Sequence, residues 1–144
     1  MQKEADLEKR AMEALADPAC DAATKRWLVL MNVNSHASLI AAAKMNRLPS
    51  VSMAAFSKIR DERARASILI EMFSSEDRSN LISIGYEVIG GIESKTLLWD
   101  IFQSPAVPKE LKPRIEARIG QLSGMVEPRD YREIIRLQKG TSRR

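Results

Sequence analysis

The stretch LISIGYEVIGG, Leu81 to Gly91, decides the fold class of this chain. Ile82, Ile84, Tyr86 and Val88 alternate with Ser83, Gly85 and Glu87, which is strand periodicity. Gly90-Gly91 has the composition of a hairpin turn. The same stretch carries a second pattern, because Leu81, Ile84, Val88 and Ile92 fall on one face of a helix. The residues that follow favour the helix. Ile92 to Leu98 does not alternate, and it contains Ser94, a good N-cap for a helix carrying Trp99. A lone two-stranded hairpin is also marginally stable in water. Read as helix, the stretch tolerates Gly85 at a cost of ~1 kcal/mol relative to Ala, which marks a close backbone approach there. No strand then remains in the chain.

Outward from this point the turn chemistry is helical throughout. Pro18 ends a charged first helix over about Lys3 to Ala16, and Asp21 can cap the next, which carries Trp27, Leu28, Leu30 and Met31. Asn32–Ser35 is a turn with Ser35 as N-cap of a helix running through Ala43 and Leu48. Pro49 closes that helix, and Ser50 or Ser52 opens another. Phe56, Ile59, Ala66, Ile70 and Phe73 lie near one stripe, interrupted by Arg63, so a break is expected near Arg60–Glu62. Ser74 and Asp77 stand at capping-box spacing. Past Pro105 and Pro108, Lys109 to Leu122 reads as a helix with Pro113 in its first turns, closed by Gly124. Glu127-Pro128 opens a last helix that Gly140 ends.

Strong breaks near residues 18, 49, 75 and 105 therefore interleave with others near 33, 61, 91 and 125. This spacing predicts an all-α fold of about seven to eight helices, arranged as antiparallel hairpins of roughly thirty residues each. A faint internal echo supports it. Asp17-Pro18-Ala19 followed by Lys25-Arg26 matches Ser104-Pro105-Ala106 followed by Lys112 and Arg114. Both an irregular bundle and a short stack of the α-solenoid kind satisfy the pattern. One domain over residues 1–140 is expected, with 141–144 as a disordered tail. A chain of 144 residues can bury roughly 68–70% of its unfolded surface. Trp27 and Trp99 read as core anchors, one in each half. The seven methionines, spread over separate segments, read as gap fillers in a core of low aromatic content.

Catalytic chemistry finds no constellation. His36 is the single histidine, one residue after the Ser35 cap position, and metal sites draw on several ligands. Cys20 is the single cysteine and lacks a neighbouring His or CxxC partner. Asp61 and Glu62 are adjacent and diverge on a helix. Gly90-Gly91 lacks the spacing of a phosphate loop. No enzyme, no cofactor and no metal are expected. A helix-turn-helix over Leu39–Ile59, with Asn46 at positive φ, fits poorly because Pro49 crowds the turn.

Charge offers more. The chain carries a net +4 with a pI near 9.4, and the excess is local. From Lys109 onward there are ten Lys/Arg and five Asp/Glu. Arg129, Arg132, Arg136 and Lys139 recur at three- and four-residue steps on one helical face, with Tyr131, Ile134 and Ile135 opposite. Arg114 and Arg118 form a second pair on the preceding helix. These six residues are the candidate interaction patch, suited to an acidic protein or to phosphates. Glu116, Asp130 and Glu133 offset part of it.

The expected function is a non-enzymatic protein-interaction module, an adaptor or a small subunit of a larger complex. The alternative is a nucleic-acid-binding or regulatory protein using the basic C-terminal helices. The single cysteine and the polar N-terminus suit a reducing, cytoplasmic setting. No apolar run approaches the roughly 20 residues of a membrane span, and a homo-oligomer remains open.

Overall fold

A computed structural model of the chain describes residues 2–124. The described residues form eight α-helices and one 3-10 turn, with no strand. The first four helices are α1 (Gln2–Ala16), α2 (Ala22–Asn32), α3 (His36–Ala43) and α4 (Pro49–Lys58). Then come α5 (Glu62–Phe73), α6 (Leu81–Gly90), α7 (Lys95–Gln103), the 3-10 turn Lys109–Leu111 and α8 (Lys112–Gly124).

The packing pattern is that of stacked hairpins. Helices α1 and α2, α3 and α4, α5 and α6, and α7 and α8 pack as pairs. The even helices form one row, α2 on α4, α4 on α6 and α6 on α8. In the odd row α1 packs on α3 and α5 on α7, while Lys44, at the end of α3, pairs with Glu71 of α5 at 2.5 Å. Short turns within each pair make its helices antiparallel neighbours. The breaks expected near residues 18, 49, 75 and 105 lie inside hairpins, and those near 33, 61 and 91 lie between them. The two Pro-Ala motifs occupy equivalent places, the α1–α2 and α7–α8 turns.

One aliphatic cluster runs through the stack, from Ala11 and Leu15 in α1 to Ile115 and Ile119 in α8. Phe56 and Phe73 are its aromatic members. Gly85 sits where α6 meets both α5 and the 3-10 turn: a Cβ there would stand 2.5 Å from Leu111 Cδ1 and 3.4 Å from Phe73 Cζ. The close approach expected of this glycine is thus present, and the stretch Leu81–Gly90 is helix.

Several local expectations are corrected. Trp27 and Trp99 are not core anchors; they are 55% and 44% exposed. Trp27 lies across α2 from the buried Lys25–Val29–Val33 stripe. Trp99 lies on the flank of α7 away from the one that meets α5 through Leu97 and Asp100. Pro49 opens α4 at its first turn, a position that needs no amide hydrogen. The preceding helix ends earlier, at Ala43, in a turn closed by Met45 N–H to Ala42 and Leu48 N–H to Met45. Ser74 is the C-cap of α5, not the start of a capping box. The next helix begins behind Asn80, whose φ of 59° is the one positive value among described non-glycine residues. Asn46 therefore does not occupy the left-handed turn position, and Leu39–Ile59 has no helix-turn-helix turn there. The break near Arg60–Glu62 is present, with Asp61 capping α5. The last helix, Arg129, Arg132, Arg136, Lys139 and the tail 141–144 lie outside the described residues.

Candidate functional site

Adjacent hairpins are joined by polar bonds about one repeat apart in sequence. Glu8 of α1 accepts from the amides of Asn34 and Ser35 at 2.6 and 2.7 Å, at the start of α3. Glu62 of α5 repeats this on Glu93 and Ser94 at 2.6 and 3.2 Å, at the start of α7. In each case a carboxylate from one odd helix satisfies orphan amides of the next. The even row uses cations on carbonyls. Lys58 of α4 donates to Val29, Leu30 and Val33 carbonyls at the end of α2 and to Asn34 Oδ1. Arg118 of α8 donates to the Ile92 carbonyl, just past α6. In the turns, Asn46 donates to Asp77 and Ser79 carbonyls, and Asn80 donates back to Asn46.

These bonds set the local titration behaviour. Burial raises the Glu8 pKa, but the bonds from Ser35, Asn34 and Ser38 outweigh it and leave the carboxyl below its ordinary value. Asp77 is held down to about 2 by the Ser79 hydroxyl and amide and by the Arg47 guanidinium. Burial lowers the Lys58 pKa, opposed by the charge of Glu8. Each group is engaged in joining elements of the fold.

The candidate catalytic residues stay apart. His36 is exposed at the start of α3, and Cys20 is half-buried in the α1–α2 turn. No group of three or more potential metal-ligating side chains occurs among the described residues. Among them, too, no helix is long and apolar enough to cross a membrane.

Of the predicted patch, Arg114 and Arg118 lie on α8 and both turn toward α6. The Arg114 guanidinium stacks over the Tyr86 ring, 4.1 Å from its centroid, and donates to the Tyr86 carbonyl. It crosses Gly90, where a Cβ would collide with it.

The surface shows a different feature, which sequence reasoning missed. Among the described residues six large apolar side chains are exposed: Leu7, Trp27, Met31, Ile82, Tyr86 and Trp99. Four of them form two pairs one turn apart, Trp27–Met31 on α2 and Ile82–Tyr86 on α6, both in the even row. Beside Ile82 and Tyr86 is a depression of about 490 Å³ that reaches Arg78 and Asn80 at one end and Glu87 at the other. The signal for α6 was in the sequence. The alternating set Ile82, Ile84, Tyr86 and Val88 and the helical set Leu81, Ile84, Val88 and Ile92 share only Ile84 and Val88, so a core that covers the helical face leaves Ile82 and Tyr86 beside it. For α2 the five consecutive apolar residues Trp27–Met31 surround the helix, and periodicity cannot say which of them faces out.

In comparison with known proteins, no family model, curated protein or solved structure matches this chain.

Proposed function

We propose that this chain is a non-enzymatic α-helical interaction module, an adaptor or small subunit of a larger assembly, that meets its partner through the even row of helices. The observation that carries the proposal is the pairing of exposed apolar side chains on α2 and α6. Single exposed apolar residues are ordinary on soluble proteins. Pairs at helical spacing on two members of one row are the form in which helical surfaces present anchors to a partner. We assign the module to a reducing, cytoplasmic compartment on the strength of its single cysteine, Cys20.

The alternative, nucleic-acid binding through the basic C-terminal patch, draws on the charge excess after Lys109. It is weakened where the patch is described, because Arg118 spends hydrogen bonds on the Ile92 carbonyl and Gln121. Affinity capture from the native host separates the two readings. The adaptor reading predicts a stoichiometric protein partner on the wild-type chain that is lost from a variant carrying Trp27→Ser, Met31→Ser, Ile82→Ser and Tyr86→Ser. Nuclease-sensitive recovery, or equal recovery by both chains, contradicts it.

A further inference from the structure

The exposed apolar residues do not all have the same standing in the stack. Trp27 and Met31 belong to the first described hairpin and Trp99 to the last. Each unit of a stacked array contacts only its neighbours, so an end unit lacks a described neighbour on one side and its exposed residues have an architectural reason. Ile82 and Tyr86 have none. Their helix, α6, is flanked by α4 and α8 in its own row and backed by α5. Its core-facing side is already complete, with Leu81, Ile84, Val88 and Ile89 buried. The flank beyond Ile89 nevertheless presents an isoleucine and a tyrosine one turn apart, 41% and 50% exposed.

Charge around this pair is net positive, two arginines against one carboxylate. Arg78 stands at the head of the depression, with its guanidinium bonded to the neutral Phe73 carbonyl. Arg114 lies along its flank on the face of Tyr86. Neither forms an ion pair among the described residues, whose two salt bridges are Lys44–Glu71 and Arg47–Asp77. The N-terminus of α6 adds a partial positive charge at the Arg78 end. Glu87 is the one carboxylate, at the far end.

We infer that the Ile82–Tyr86 face of α6 is a docking site for an amphipathic helical segment of a partner protein, with acidic residues flanking its apolar stripe. The apolar residues of that segment seat on Ile82 and Tyr86. Its carboxylates meet Arg78 and Arg114, whose forked donors suit them. The inference rests on the interaction-module reading and narrows it to one face and one partner chemistry.

The test is selection of displayed random peptides of about sixteen residues, long enough for four helical turns, against the full chain. Enriched peptides should carry net negative charge and apolar residues three or four apart. A representative peptide should lose about tenfold or more in affinity on Ile82→Ser or Tyr86→Ser, as truncation of an anchor side chain produces. Arg78→Glu should weaken it further, while Trp27→Ser leaves it unchanged. Unaltered thermal melts for Ile82→Ser separate lost docking from lost folding. Enrichment of basic peptides, binding indifferent to Ile82 and Tyr86, or no enrichment at all overturns the inference. Peptides lost only on Trp27→Ser or Met31→Ser also overturn it, yet leave the broader reading standing.

Discussion

At Gly85 two opposing effects meet. Alanine would gain about 1 kcal/mol in helix propensity. It would also drive a methyl group to 2.5 Å from Leu111 Cδ1, inside a site where Leu111 is fully buried. Overpacking of a closed core costs roughly 1–3 kcal/mol, so Gly85→Ala should lower stability by roughly 1 kcal/mol net. Gly91→Ala is the control: its Cβ would meet only the Val88 carbonyl at 3.7 Å. Urea denaturation should show a lower midpoint for the first and none for the second; a stabilised Gly85→Ala would contradict the packing. Asp77 gives a test by titration. Its folded pKa of about 2 lies below the ordinary 3.8. Its contribution to stability is therefore present above pH 3.8 and lost as pH falls toward 2. Carboxyl-carbon NMR should place its midpoint near the lower value, and Ser79→Ala should raise it more than Arg47→Ala does.

Among the helices, the joints between hairpins repeat. The carboxylates of Glu8 and Glu62 perform one task at two places, closing the first turns of α3 and α7. Removing a cap costs ~1 kcal/mol, and Glu8→Ala and Glu62→Ala should each lose about that. The Glu8 carboxyl lies below its ordinary 4.5 in the folded chain, so its share also fades as pH falls through that region. Thermal melts at pH 7 and pH 3 should show a smaller difference for Glu8→Gln than for wild type. Lys58 joins the even row by holding α2 carbonyls. Lys58→Met should leave those carbonyls without their cation and cost roughly 1–3 kcal/mol, with faster amide exchange at the end of α2 as the readout. Helix boundaries were legible wherever a short polar side chain caps locally, as Asp21, Ser35 and Ser94 do. They were misplaced at Pro49 and at Ser74–Asp77. Proline suits a first turn as well as a stop, and the turn before α6 is closed by Asn46, 31 to 34 residues away in sequence.

For the molecule as a whole, the hairpin rhythm was readable because each break falls at a turn the chain must make. The ends of the stack were not. A tryptophan on an apolar stretch looks like a core residue, and only the packing shows that Trp27 and Trp99 stay exposed. Single-tryptophan variants should accordingly emit near the wavelength of the unfolded chain, and strongly blue-shifted emission would contradict this placement. The ambiguity at Leu81–Gly91 has a similar origin. It mimicked a strand because α6 is apolar on two sides, one facing α5 and the other outward. Under the proposed function this outward side meets a partner. The most direct test is site-specific photo-crosslinking in the native host, with a benzophenone side chain at Tyr86 and, as control, at exposed Glu13 in the odd row. One discrete protein adduct is expected from position 86 and none from position 13. No adduct at 86, or the same adducts from both positions, would contradict it.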